Sequence, residues 1–341
     1  MADGLTVAVT GPTGTFGFGL LPLLEADARI ARVVGIARRP FEPAEHGWTK
    51  LEYRRGDVRD RDVLEDAFAG ADVVVHLAFM ITGTAGRATI RAINVDGTLN
   101  AFRAAAAVGA QRFVYASSVA AYGFHADNPY RLTEAWPVRP AAHLFYAQEK
   151  AEIEHLLAAE GEQHPQLGLY LLRPPVVLGP HALGAKDLLP GPLAALARGL
   201  GPLVRRLPVP VPVAVPDLPL QFVDEDDVGR ALLLSVVGAG PPGAYNLAGD
   251  GVLSAHDVAR ELGLTPLALP QRAVRTGARA LAGLPFAPPV AEWAEALTRH
   301  SIMDTTKARS ELGWEPRYTG LDALRRTLHN DEGPAGQTGP S

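Results

Sequence analysis

The sequence predicts a doubly wound α/β fold, with a parallel sheet covered by helices on both faces and a smaller lobe following it. Three observations predict it. An apolar strand, a glycine-rich turn and a helix succeed one another at the amino terminus. Strand and helix patterns then alternate as far as residue 173, and beyond about residue 178 prolines and glycines break the chain into short pieces. With 341 residues, 47% hydrophobic and 20% charged, the chain can bury a large core and exceeds the usual single-domain size.

Leu5-Thr6-Val7-Ala8-Val9-Thr10 reads as a buried strand running into Gly11-Pro12-Thr13-Gly14-Thr15-Phe16-Gly17, after which Phe18, Leu20, Leu21, Leu23 and Leu24 begin a helix. Such a unit can cradle a phosphate: glycines let the backbone approach it, and the helix start supplies N–H donors and a favourable dipole. The spacing is Gly-x-x-Gly-x-x-Gly, not the Gly-x-Gly-x-x-Gly of the commonest dinucleotide fingerprint. Residues 32–37, 73–78 and 112–117 read as further strands, and residues 60–68 and 91–108 as helices ending near Gly70 and Gly109. After a helix carrying Tyr146 and Lys150, residues 169–173 supply another strand. Gly179-Pro180, Pro190-Gly191-Pro192, Gly201-Pro202, Pro208, Pro210, Pro212, Pro216 and Pro219 suit a lobe of short helices and edge strands. Helical pieces return at residues 255–262 and 289–297, and residues 330–341 read as a disordered tail. The organisation expected is a dinucleotide-binding part over 1–178, a mainly substrate-binding lobe over 179–329 from which some elements return to the first part, and the tail.

Composition removes several function classes. A net charge of −5 gives no general electrostatic reason to bind nucleic acid or an anionic membrane. Cysteine is absent, which excludes disulfides, thiolate catalysis and a cysteine zinc site. The apolar run over 203–223 is broken by Arg205, Arg206, Asp217 and five prolines, so no membrane span is expected. Met1-Ala2-Asp3-Gly4 shows no basic n-region and leads into no secretory h-region, which makes a cytoplasmic enzyme the expectation. His76, His125, His143, His155 and His181 lack metal-ligand spacing, so no metal is expected, and Gly-x-Ser-x-Gly is absent.

Tyr146-Ala147-Gln148-Glu149-Lys150 carries the most chemistry. One helical turn puts the tyrosine and the lysine on one face, where an ammonium can stabilise the phenolate and draw the tyrosine pKa down from about 10.

In order along the chain, Thr10 to Gly17, Gly56-Asp57-Val58-Arg59-Asp60, His76-Leu77-Ala78, Asn94-Val95-Asp96-Gly97-Thr98, Tyr115 to Gly123, Tyr146 to Lys150, Leu172 to Pro180, Phe222 to Val228 and Leu312-Gly313-Trp314-Glu315-Pro316 resemble the motifs of the extended short-chain dehydrogenase/reductases, the NAD-dependent epimerase/dehydratases. The resemblance covers residues 5 to 325 and implies a Rossmann-type sheet with a smaller C-terminal substrate-binding lobe, a nicotinamide cofactor and a homodimer joined through the Asn94 and Tyr146 helices. It implies that Tyr146 exchanges the substrate hydroxyl proton, that Lys150 tunes it and binds the nicotinamide ribose, and that Ser118, rather than Ser117, bonds the carbonyl oxygen. Asn94 is read either as part of the site's polar network or as a capping or packing residue. The cofactor contacts implied are Gly11, Thr13, Gly14, Thr15, Phe16, Gly17, Arg38, Arg39, Asp57, Val58, Leu77, Ala78, Phe79, Ala116, Ser117, Tyr146, Lys150, Pro174 and Val176.

At the end of the second strand Ala37 stands where NAD enzymes carry an acid, and Arg38 and Arg39 follow, which favours NADP over NAD. Val176 and Leu220 occupy positions where sugar-nucleotide epimerases of the family hold a diphosphate with Asn and Arg. With Phe79, Met80, Ile81 and the stretch 207–220 they predict a rather apolar pocket. The expectation is therefore an oxidoreductase moving a hydride between the cofactor and an apolar carbonyl or alcohol. A nucleotide-sugar epimerase or dehydratase is the enzymatic alternative, and a non-catalytic dinucleotide sensor or scaffold the alternative of another class. The acidic run Asp224-Glu225-Asp226-Asp227 is read as a helix cap.

Overall fold

The computed structural model describes residues 4–81, 86–182, 212–216, 218–269 and 299–329. Its centre is a seven-stranded parallel sheet. In chain order the strands are β1 (Leu5–Thr10), β2 (Ile30–Ala37), β3 (Leu51–Arg55), β4 (Val73–His76), β5 (Arg112–Ala116), β6 (Gly168–Arg173) and, after four short strands of the lobe, β11 (Gly243–Asn246). They lie side by side as β11-β6-β5-β4-β1-β2-β3, so the chain works outward from β1 to β3 and then from β4 to β11, and the order reverses between β1 and β4. That reversal is the crevice where parallel sheets of this kind bind ligands.

Alternation along each strand divides the core between the two faces. Val7, Val9, Val73 and Val75 face α1 (Thr15–Ala26), α6 (Glu225–Val236) and the Trp314 side chain, whereas Ala8, Val74, Phe113 and Tyr115 face α2 (Arg61–Phe68), α4 (Gly97–Ala107) and α5 (Phe145–Gln163). The α1/α6 packing is close because both helices carry glycine at the crossing: a Cβ on Gly229 would lie 2.1 Å from the Gly19 carbonyl oxygen.

The helix expected over 91–108 is not continuous. It is α3 (Arg87–Arg91), a π-turn (Ala92–Asp96) and α4, and the wide turn lets Asn94 reach across to the Met80 backbone. The strand expected over 73–78 ends at His76 and that over 112–117 at Ala116. β3 and β11 were outside the sequence expectation; β3 is an edge strand whose Glu52, Arg54 and Arg55 hide the strand pattern.

Beyond β6 the described residues also form two-stranded pairs. β7 (Val176–Leu178) runs parallel to β10 (Phe222–Asp224), β8 (Pro212–Pro216) parallel to β13 (Thr265–Leu269), and β9 (Pro219–Leu220) antiparallel to β12 (Leu253–Ser254). Among the described residues three helices accompany them: α7 (Ala255–Glu261), started by a Ser254/Asp257 capping box, α8 (Thr306–Leu312) and α9 (Gly320–His329). The helix read at 289–297, the tail from 330, and Arg205 and Arg206 lie outside the described residues. Among the described residues no helix is long and apolar enough to cross a membrane, and no cluster of His, Asp and Glu is arranged to hold a metal ion.

The acidic run caps α6 and also ties down the C-terminal segment. Asp224 accepts from the Asp226 N–H and pairs with Arg326 at 2.9 Å, while fully buried Asp227 accepts from the Arg317 and Tyr318 N–H groups.

Candidate active site

The glycine turn sits at the carboxyl end of β1, beside the reversal in strand order. Gly11 has φ +67°, and its Cβ would fall 2.8 Å from the Ala78 backbone; Gly17 lets α1 pass over Pro12, whose carbonyl oxygen would lie 1.9 Å from a Cβ there. Gly14 is the N-cap of α1 and makes no side-chain cap hydrogen bond, and a Cβ on it would meet only the Gly11 oxygen at 3.5 Å. An open cradle at a helix start fits a dinucleotide pyrophosphate. Thr13, Thr15 and Phe16 complete the turn, half-buried, and the Thr15 hydroxyl donates to the His181 carbonyl.

At the end of β4 the His76 ring lies between two hydroxyls, with Thr10 Oγ1 2.8 Å from Nδ1 and Thr98 Oγ1 3.1 Å from Nε2. Burial, helped by the Lys150 charge, pushes its pKa down to about 3, so it is a neutral packing residue. Leu77, Ala78 and Phe79 follow it, half-buried, and Thr10 Oγ1 also accepts from the Ala78 N–H.

The two serines at the end of β5 diverge. Ser117 Oγ donates to Glu154, away from the crevice, whereas Ser118 begins a 3₁₀ turn, accepts from the Ala120 N–H and forms a side-chain hydrogen bond with Tyr146. Tyr146 stands in the first turn of α5, half-buried against Ala120, Phe124, Ala141 and Leu144, with the Phe79 ring edge-on at 5.6 Å. Burial pushes its pKa up to about 12, offset in part by the Ser118 hydrogen bond. The expected lowering by Lys150 is therefore not what this arrangement gives. The Lys150 Nζ lies 5.9 Å from the Tyr146 ring centroid and donates to Tyr115 Oη at 3.0 Å and the Ala116 carbonyl at 2.7 Å. Its own pKa is pushed down to about 7 by burial, against the attraction of Glu154 and Glu149.

Asn94 is buried in the π-turn, and its amide is fully used: Oδ1 accepts from the Met80 N–H at 2.7 Å, and Nδ2 donates to the Met80 carbonyl and to Glu149. Asn94 thus ties α5 to the segment after β4 and does not cap a helix.

At the outer end of the crevice Arg38 and Arg39 follow β2 and are exposed. Strand pairing sets Ala37 beside Arg55, whose Nε donates to the Arg38 carbonyl at 3.4 Å. Asp57 is chelated by Arg59 through both carboxylate oxygens, which holds its pKa low, and Val58 is buried under α4. On the other side Pro174 is buried and accepts from the Val119 N–H, while Val176 is exposed on β7. Leu220 packs against a small apolar cluster with Phe222 and Leu324.

Sequence reasoning missed the polar chain beneath the serines. Glu154 and Arg173 form a buried pair, Arg173 Nη1 donates to Tyr122 Oη at 2.7 Å, and Tyr122 donates to Asn246, whose N–H in turn reaches Glu134. Glu154 follows Lys150 by one helical turn, and a charged residue amid the apolar pattern of β6 was the available signal.

Residues 7–248 match the NAD dependent epimerase/dehydratase family. An uncharacterised protein of Mycobacterium tuberculosis (strain H37Rv) is 28% identical over 328 residues, covering 93% of this chain and 82% of its own. Sterol demethylase protein B of Methylococcus capsulatus is 30% identical over 178 residues, 52% of each chain. Among solved structures, the dTDP-glucose 4,6-dehydratase of Streptomyces venezuelae, with NAD and TYD bound, shares the fold at a TM-score of 0.71 and 20% identity, covering 96% of both chains. The match over residues 7–248, on a parallel sheet with its glycine turn at the point of strand reversal, shows that this chain is an enzyme belonging to the NAD dependent epimerase/dehydratase family.

Proposed function

We propose that this enzyme transfers a hydride between NADP, in preference to NAD, and a rather apolar carbonyl or alcohol. The observation that carries the reading is the Ser118/Tyr146 hydrogen-bonded pair set among carbon: Ala120, Phe124, Ala141 and Leu144 pack around it and Phe79 lies edge-on to the tyrosine. A phenol pushed up to about 12 is protonated at neutral pH and can give its proton to a carbonyl oxygen, which Ser118 also bonds as negative charge develops there. The cofactor, when bound, supplies or accepts the hydride. Gly11 to Gly17 would hold its pyrophosphate, Arg38 and Arg39 a 2′-phosphate, Asp57 and Val58 the adenine side, and Lys150 the nicotinamide ribose. Leu77, Ala78, Phe79, Ala116, Ser117, Pro174 and Val176 would line its path.

The partial match to a protein named for sterol demethylation supports a substrate of low polarity. The family name keeps a nucleotide-sugar epimerase or dehydratase as the competing reading, and Val176 and Leu220 weigh against it, because neither can bond a diphosphate. Burying those charges against apolar side chains would cost several kcal/mol. The division near residue 178, a cytoplasmic location and a homodimer through the Asn94 and Tyr146 helices belong to the same reading. Thermal unfolding with cofactor present tests it: UDP-, dTDP- and GDP-linked sugars should give no upward shift in Tm, and a shift saturating at micromolar sugar nucleotide would restore the epimerase/dehydratase reading.

A further inference from the structure

The Lys150 ammonium has three N–H groups, and the structure accounts for each of them. One goes to Tyr115 Oη at 3.0 Å and one to the Ala116 carbonyl at 2.7 Å, while the Phe79 ring lies over Nζ at 3.8 Å from its centroid. The three partners differ in kind. Tyr115 and Ala116 belong to β5 in the middle of the sheet, and Tyr115 is only 1% exposed. Phe79 is half-buried on the irregular segment after β4. Two directions of the ammonium are therefore fixed by the sheet, and the remaining one is covered by a side chain that can turn aside.

From this geometry we infer that Tyr115 is a positioning residue for Lys150: its buried hydroxyl, with the Ala116 carbonyl, anchors the ammonium so that the direction covered by Phe79 is the one offered to a ribose hydroxyl. The inference rests on the cofactor role proposed above for Lys150. The charged and titratable groups around the ammonium are Glu149, Glu154 and Tyr146 on its own helix, Tyr115 on β5, and His76 on β4; Arg173 on β6 is committed to Glu154. Glu154 and Glu149 favour the charged amine and burial disfavours it, leaving its pKa at about 7. Removing one oxygen acceptor from a buried ammonium lowers that value further.

The test is the pH dependence of NADP(H) and NAD(H) binding by calorimetric titration, with wild type and Tyr115→Phe compared. Ring volume is kept and a single oxygen is lost; an unchanged Tm confirms a folded variant. Wild-type affinity should fall as the pH rises past about 7, where the ammonium deprotonates. In Tyr115→Phe that midpoint should move down by about one pH unit, the loss of one hydrogen bond to a charged group, so that binding at about pH 8 is weaker by about tenfold while binding at about pH 5 matches wild type. A residue that only filled space would weaken binding equally at every pH, so a pH-independent loss or an unmoved midpoint overturns the inference. Wild type that binds neither cofactor at any pH would overturn the cofactor reading itself, and the inference with it.

Discussion

Tyr146 differs from phenylalanine by one oxygen, which is hydrogen-bonded to Ser118. Tyr146→Phe should lower kcat by about 100-fold or more with cofactor affinity little changed, because only the proton donor is lost. Lys150→Ala, in contrast, should weaken both, since the proposed reading gives the lysine a ribose to hold and its ammonium lies 5.9 Å from the tyrosine ring. Steady-state kinetics with direct cofactor titration reads both, and a Tyr146→Phe enzyme of normal kcat removes that residue from its role. The meeting of Ser118 with Tyr146 was legible because the strand end and the first turn of the helix bring them together. The charge balance around them was not. That Lys150 turns toward Tyr115 and Ala116, and that burial raises the tyrosine, depends on which side chains from β4, β5 and β6 close over the site. The same holds for Glu149, whose pKa is raised by burial against the lowering effect of its hydrogen bond from Asn94, and whose other carboxylate oxygen has no hydrogen-bond partner among the described residues.

The elements that carry the site are those the sequence marks most clearly. β1, the glycine turn and α1 follow from an apolar run, three glycines and a leucine-rich start, and each glycine proves to mark a close approach or an open cap. The π-turn left no mark, because inserting one residue into a helix requires neither proline nor glycine. β11 was missed because Gly243-Ala244-Tyr245-Asn246 is too short to show an alternation. At the β2/β3 edge Arg38, Arg39 and Arg55 gather at one end of the sheet, with Ala37 in register with Arg55. A guanidinium–phosphate contact is charge-assisted, so Arg38→Ala should weaken NADP binding by about tenfold or more, more than Arg39→Ala does, and leave NAD binding nearly unchanged. Equal affinity of the unmutated enzyme for the two cofactors would defeat this.

For the whole molecule, burial of ionisable groups sets a pH response with opposing parts. His76 is pushed down to about 3 from a usual 6.5, so its contribution to stability is fully present above 6.5 and is lost as the pH falls toward 3. Asp224 is pushed up to about 6 from 3.8, so its contribution is fully present below 3.8 and is lost as the pH rises through 6. Between these values the two oppose each other. A His76→Gln variant should remove the first and leave the second. Its unfolding free energy, followed by denaturant titration, should therefore fall less steeply on acidification between about pH 6 and pH 4, by about 1 kcal/mol per pH unit relative to wild type. Parallel curves would show that His76 is not held neutral.

At the same scale, the parallel sheet and the family were readable from ordered motifs, whereas the strand order, two of the strands and the substrate were not, and the proline-rich sequence expected to form the substrate lobe has no periodicity to read. Hydride transfer can be observed directly, as the change in nicotinamide absorbance when the purified enzyme and NADPH meet a panel of aliphatic, aromatic and polycyclic ketones and aldehydes, with UDP- and dTDP-sugars alongside. Turnover of at least one apolar carbonyl, abolished by Tyr146→Phe, is expected, and none with the sugar nucleotides. Conversion of a sugar nucleotide, with every apolar carbonyl inert, would contradict this.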